Sequence, residues 1–232
     1  MLTVAILAGG RATRLRPMTE TVPKSLLELN GEPFAVHQLR LLQAKGIRHV
    51  VLCVGHLGGL IQRAIGNGEA FGLQVDYSFD GPALLGTAGA IKNALPKLGK
   101  SFFVMYGDSY LPCDYAAIER NFESASVLGM MTVFRNEGKW DTSNVEFEAG
   151  TILAYSKTNS NPRMHYIDYG LGVFRAEAFE RVPSGKPCDL AEVYTDLLQR
   201  KQLAALEVRE RFYEIGSPGG LKETEEFLAA RG

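Results

Sequence analysis

Thr3-Val4-Ala5-Ile6-Leu7-Ala8-Gly9-Gly10-Arg11-Ala12-Thr13-Arg14-Leu15-Arg16-Pro17 is the stretch that decides how the rest of the chain is read. Thr3 to Ala8 is apolar and rich in branched residues, which predicts a buried strand. Gly9-Gly10 predicts a tight turn at its end, and arginines follow at 11, 14 and 16. No basic region precedes the apolar run and no small-residue cleavage site follows it. It therefore reads as a strand and not as a secretion signal.

Outward from this strand, short branched runs alternate with helical patterns to about residue 135. Phe34 to Lys45 reads as a helix, His49 to Val54 as a strand, Leu57 to Ile65 as a helix and Gln74 to Ser78 as a strand. Ala88 to Leu95 and Tyr115 to Phe122 follow as helices, Phe102 to Tyr106 and Val127 to Phe134 as strands. Such alternation implies parallel strands with right-handed crossovers, helices on both faces, and a ligand at the C-terminal strand ends. Beyond 135 the pattern changes. Asn144 to Phe147, Ile152 to Tyr155 and Ile167 to Phe174 read as shorter strands, some antiparallel. Leu190 to Arg200 reads as a helix, Leu203 to Val208 and Phe212 to Ile215 as extended, and Pro218 opens a last helix. The expectation is an α/β fold: one domain over residues 1–232, with a mostly parallel sheet through 1–135 and a small mixed β extension in 136–232.

Composition narrows the function. A formal charge of -1 leaves no global field to attract nucleic acid or an anionic membrane. Phosphate binding must then come from a few placed groups. Cys53, Cys113 and Cys188 are too scattered for a metal site and are expected as reduced thiols. His37, His49, His56 and His165 show no ligand spacing. No apolar run reaches membrane-spanning length, and a cytoplasmic protein is expected.

The turn after the first strand carries the chemistry. A glycine pair lets backbone N–H groups face a phosphate chain. Arg14 and Arg16 can add forked hydrogen bonds, and Lys24, in Pro23-Lys24-Ser25, a point charge. Neither a P-loop nor a dinucleotide fingerprint is present. By itself the loop is equally readable as a solvated basic turn.

The whole string is more specific. It resembles the signature of the sugar-nucleotide pyrophosphorylases (sugar-1-phosphate nucleotidylyltransferases), Leu-Ala-Gly-Gly-x-Gly-Thr-Arg-Leu-x-Pro-Leu-Thr followed by Pro-Lys. The resemblance continues through Gly86-Thr87-Ala88-Gly89-Ala90, Tyr106-Gly107-Asp108, Ile167-Asp168-Tyr169-Gly170 and Glu214-Ile215-Gly216-Ser217-Pro218, across nearly the whole chain. It implies a Rossmann-like sheet and transfer of a nucleotide from a nucleoside triphosphate to a sugar 1-phosphate, with pyrophosphate leaving. Such transfers rest on positioning and electrostatics.

The resemblance implies roles. Arg14 would hold the β- and γ-phosphates, and Lys24 would stabilise charge at the α-phosphate. Leu7, Ala8, Gly9, Gly10, Thr13, Gly86 and Thr87 would bind the nucleotide. Gly89, Asn144, Lys157, Asp168 and Gly170 would bind the sugar phosphate, the start of the 86–89 helix favouring anions. Asp108 and Glu214 would ligate magnesium. Each has a plainer reading: a turn cap for Asp108, a surface glutamate for Glu214, a helix cap for Thr87, a solvated lysine for Lys157. Two departures stand out. Glu214 replaces the family's usual aspartate, adding a methylene. Ala12 replaces the glycine before Thr-Arg, and is strained if that position needs a positive φ. Trp140 is readable as pocket lining or as surface loop. Transfer to a non-sugar phosphate such as phosphocholine, or a silent regulatory relative, are the competing functions. Guanine is the base put first, and a monomer or homodimer the assembly expected.

Overall fold

In the computed structural model, which describes residues 1–231, the first strand lies at the centre of everything else. Nine strands form the main sheet: β1 (Thr3–Leu7), β2 (His49–Val54), β3 (Gln74–Phe79), β4 (Ser101–Tyr106), β5 (Gly129–Arg135), β6 (Val145–Glu148), β7 (Thr151–Tyr155), β8 (Tyr166–Arg175) and β9 (Leu203–Val208). β1 pairs in parallel with β2 on one side and β4 on the other, and β2 with β3. The chain thus winds outward one way from β1 and then returns to its other side. That reversal opens a crevice at the C-terminal ends of β1 and β4.

Alternation along the strands sorts residues to the two faces. Val4, Ile6, Val50 and Leu52 turn toward α1 (Phe34–Ala44), α2 (Gly58–Ile65) and α4 (Tyr115–Ser124). Ala5, Val51, Phe102 and Val104 turn toward α3 (Gly86–Leu98) and α5 (Leu190–Gln199). Burial on both faces explains why these strands read as continuous apolar runs. α6 (Pro218–Ala229) packs through Leu221, Phe227 and Leu228 on a smaller cluster with Leu29, Phe34, Tyr110 and Ile215.

The later strands are antiparallel where it matters. β8 runs against β4 through Leu171–Arg175 and against β5 on its other edge. Its first half projects past the end of β4, where Tyr166 pairs with Val145 of the β6–β7 hairpin. Residues 168–170 therefore bridge the gap between β4 and the hairpin, at the mouth of the crevice. The β5–β8 register slips between Asp168 and Gly172, a bulge of the kind that re-aims side chains. The last extended stretch, expected over Phe212 to Ile215, is a two-residue strand: Tyr213–Glu214 pairs antiparallel with Ser109–Tyr110. That ribbon, invisible in the sequence, carries Glu214 back beside Asp108.

Candidate active site

The exits of three strands are stitched together before any ligand is considered. The Ala8 N–H donates to the Cys53 carbonyl (2.8 Å), Gly107 N–H to the Leu7 carbonyl (2.9 Å) and His56 N–H to the Gly9 carbonyl (3.3 Å). Gly9 and Gly55 face each other so closely that a β-carbon on Gly55 would lie 2.9 Å from the Gly9 carbonyl oxygen. Glycine is required here by approach and not by φ.

Beyond Gly10 the chain makes a short 3-10 turn, Thr13–Leu15, anchored by buried Leu15. Ala12 enters it in the left-handed region (φ 48°, ψ 45°), the condition under which alanine is strained, at a cost of about 1–2 kcal/mol. The Thr19 hydroxyl donates to the Ala12 carbonyl at 2.8 Å and helps hold that conformation. A second 3-10 turn, Lys24–Leu26, brings the Lys24 ammonium 2.8 Å from Asp108 Oδ2.

Asp108 stands where two adjoining cavities of about 240 and 460 Å³ meet, and with Tyr106 it lines both. Leu7, Ala8, Gly9, Gly10, Gly86 and Thr87 line the first, together with Lys24. Arg14, Asn144, Lys157, Asp168, Gly170 and Glu214 line the second. Thr13 and Gly89 line neither. Thr13 is exposed on its turn. A β-carbon on Gly89 would lie 2.9 Å from the Lys186 carbonyl, so its smallness serves the packing of α3 against the 186–188 segment.

Two N–H groups near the start of α3 are engaged within the protein, while Gly86 and Thr87 before them line the first cavity. The Cys188 carbonyl accepts from Ala88 N–H (2.9 Å) and Gly89 N–H (3.3 Å), which occupies those helix-end donors. Thr87 does not cap its own helix: its Oγ1 accepts from Leu190 N–H at 2.7 Å. The helix itself begins at Gly86, two residues earlier than the apolar pattern indicates.

Around the shared wall the charged groups converge. A β-carbon on Gly216 would lie 2.5 Å from Glu214 Oε2, 3.4 Å from Asp108 Oδ2 and 3.5 Å from Lys24 Nζ. The Glu214 carboxylate is aimed by its own loop, accepting from Ser217 Oγ (2.6 Å) and from Gly216 N–H. In the second cavity, Asn144 Oδ1 accepts from Asp168 N–H (2.9 Å), and Asp168 Oδ1 accepts from Gly170 N–H (3.0 Å). Burial pushes the Asp168 carboxyl up to about 6, against the opposing pull of the Gly170 N–H and Lys157. Lys157 is paired with Asp189 Oδ1 at 2.7 Å. Trp140 lines this cavity at 44% exposure with the Arg211 guanidinium 3.3 Å from its ring centre. Buried Asn136 holds the loop that carries it, donating to the Asp141 carbonyl at 2.6 Å and accepting from Trp140 N–H at 3.2 Å.

Several lining residues escaped the sequence reading. Asp80 enters the first cavity from the end of β3, and its Oδ2 accepts from Leu85 N–H at 3.1 Å. Ser25 lines the same cavity and Asp141 the second. Asp189 begins a capping box with Glu192, a legible local signal, but its pairing with Lys157 has none. Two of the histidines serve the scaffold: His49 Nε2 lies 2.8 Å from Asp76 Oδ2, and His37 meets the Leu29 carbonyl. Cys53 and Cys113 are buried thiols whose ionisation burial pushes up to about 12. Among the described residues no helix is long and apolar enough to cross a membrane.

Known proteins share this architecture. The chain is 29% identical over 231 residues to an N-acetylmuramate α-1-phosphate uridylyltransferase of Neisseria meningitidis, covering 97% of each chain. It is 32% identical over 200 residues to a mannose-1-phosphate guanylyltransferase of Mycobacterium tuberculosis, covering 83% of this chain and 54% of that one. Among solved structures, HddC from Yersinia pseudotuberculosis complexed with GMP-PN superposes with a TM-score of 0.80 at 22% identity, covering 98% of this chain and 100% of that one. The inositol-1-phosphate CTP transferase of T. maritima does so with a TM-score of 0.80 at 20% identity, covering 99% and 95%. At those identities the likeness speaks for the fold. A model of the nucleotidyl transferase family matches residues 3–228, and the chain belongs to that family.

Proposed function

We propose that the protein transfers a nucleotidyl group from a nucleoside triphosphate to a sugar 1-phosphate, giving a nucleoside diphosphate sugar and pyrophosphate. The observation that carries this reading is the junction at Asp108. A backbone-lined cavity and a polar cavity meet there, with Lys24 beside the shared wall. The triphosphate takes the first cavity and the sugar phosphate the second. An oxygen of the sugar phosphate attacks the α-phosphorus, and the bond from that phosphorus to its bridging oxygen breaks as pyrophosphate departs. The attacking oxygen is already anionic, so no general base is required. What the protein supplies is alignment and charge.

Lys24 reaches the α-phosphate region from the first cavity, while Arg14, lining the second, offers forked donors to phosphate oxygens near the junction. Asn144, Asp168 and the Gly170 backbone meet sugar hydroxyls, and Lys157 the sugar phosphate. The donor set fits magnesium, which prefers few carboxylates and takes its other ligands from water and phosphate. Asp108 and Glu214, converging beside Gly216, would hold it. Bound there, the ion would offset the negative charge that accumulates on the phosphates.

A sugar suits the second cavity better than a quaternary ammonium group. Two of its aromatic side chains already have partners, Trp140 stacked by Arg211 and Tyr169 edge-on with Phe212. Guanine is our first choice of base, supported by the guanylyltransferase relative; the uridylyltransferase relative makes uracil second. Thermal shift with each nucleoside triphosphate and magnesium, then pyrophosphate release across sugar 1-phosphates, tests the reading. A clear winner in both assays is the expected result. Absence of any shift refutes the enzyme reading in favour of a silent relative.

A further inference from the structure

Ser25 sits one residue past Lys24 on the 3-10 turn Lys24–Leu26. It is only 6% exposed, yet among the described residues its Oγ has no hydrogen-bond partner. Buried hydroxyls are almost always satisfied, and a serine in a turn usually finds a backbone carbonyl nearby. The turn is closed without it: Leu26 N–H donates to the Pro23 carbonyl (2.8 Å) and Leu27 N–H to the Lys24 carbonyl (3.0 Å). The same residue lines the first cavity beside Lys24. Thr87, also on that wall, accepts from Leu190 N–H, so its oxygen is already used within the protein. Among the described residues, Ser25 is the buried hydroxyl on the lining of this cavity that the fold leaves unanswered.

We propose that Ser25 is a nucleotide-binding residue, its O–H donating to a phosphate or ribose oxygen of the bound nucleoside triphosphate. This rests on the assignment of the first cavity to the nucleotide. One short turn then delivers a cation and a neutral donor to the same ligand, Lys24 opposing charge and Ser25 fixing orientation. The buried hydroxyl has no partner within the described protein, and the bound nucleotide supplies one.

Two substitutions test this. Ser25→Ala removes the unanswered hydroxyl, so its melting temperature should equal or exceed that of the wild type. Its affinity for GTP, or for UTP if that binds better, should fall roughly ten- to hundredfold if the acceptor is a charged phosphate oxygen and about two- to tenfold if it is a neutral ribose oxygen. Ser25→Cys keeps the volume with a weaker donor and should fall in the same direction. In turnover the loss should appear in KM for the triphosphate and not in KM for the sugar phosphate. Repeating the Ser25→Ala comparison with 2′-deoxy and 3′-deoxy triphosphates separates the two acceptors. A penalty that vanishes with one deoxynucleotide places the bond on that ribose hydroxyl, and a penalty that persists with both places it on phosphate. Unchanged triphosphate affinity in both variants, with the wild type binding normally, overturns the proposal. Equal loss of stability and of both substrates assigns Ser25 to packing and overturns it too. A wild-type protein that binds no triphosphate sinks the functional reading itself, a different result.

Discussion

Replacing Gly86 with alanine should destabilise the protein severely, for two reasons that are separately measurable in the geometry. Gly86 has φ +69°, where a β-carbon costs about 1–2 kcal/mol. That β-carbon would also lie 2.6 Å from the Cys188 carbonyl oxygen and 3.1 Å from its carbon and nitrogen. These are backbone atoms and cannot rotate away. The segment is held in place besides: Cys188 N–H donates to the Leu85 carbonyl at 2.9 Å, and the Cys188 carbonyl accepts from Ala88 and Gly89. Overpacking against such a segment typically costs about 1–3 kcal/mol. The sum is roughly 2–5 kcal/mol, which for a domain of this size lowers Tm by roughly 4–20 °C. Urea denaturation at constant m reads it directly. Gly10→Ala is the matched control, since a β-carbon there meets nothing within 4 Å. It should leave stability within about 0.5 kcal/mol, as unstrained surface changes do. A Gly86→Ala midpoint equal to wild type would mean that the 186–188 segment does not sit on α3, and the reasoning about this wall of the cavity would fall.

Other outcomes follow from the same site. Lys24→Ala should leave the protein folded and cut turnover by orders of magnitude, measured as pyrophosphate release; near-normal rates would remove Lys24 from the reaction. Asp108→Asn should abolish the response of turnover to magnesium, and activity that still rises with the ion would reassign the carboxylate. Asp168 gives a pH dependence of definite sign. Its folded-state value, raised by burial to about 6, means that the folded protein holds this proton more tightly than the unfolded chain. Its contribution is therefore fully present below the ordinary carboxylate range and is lost as pH rises through about 6. Asp168→Asn should gain stability relative to wild type as pH rises from the ordinary carboxylate range through about 6, whereas parallel profiles would show an unshifted carboxyl.

The nucleotide half of the site is legible in part from local signals: the buried strand and the glycine pair predict the turn that lines the first cavity, while the roles of Leu7 to Gly10 and Lys24 come from the resemblance of the whole string. The second cavity is assembled from distant parts, and legibility falls accordingly. Asp189 meets Lys157 across 32 residues, and Glu214 reaches Asp108 only because Tyr213–Glu214 pairs with Ser109–Tyr110. Neither contact has a periodicity to betray it. The start of α3 holds a contact with no local signal: its small residues admit a neighbouring backbone, and the Cys188 carbonyl accepts from Ala88 and Gly89. Ser25 escaped notice because an unanswered hydroxyl can be recognised only once its surroundings are known.

Trp140 is the only tryptophan in the chain, and it lies on the wall of the second cavity with a cation against its ring. All tryptophan emission from this protein therefore reports on a single place, a wall of the second cavity and not of the backbone-lined cavity that would take the triphosphate. Stopped-flow mixing with each substrate alone would show a fast optical change for the one that enters beside Trp140. The order of substrate addition can be timed without a label, because the chain carries its own lamp at one of two doors.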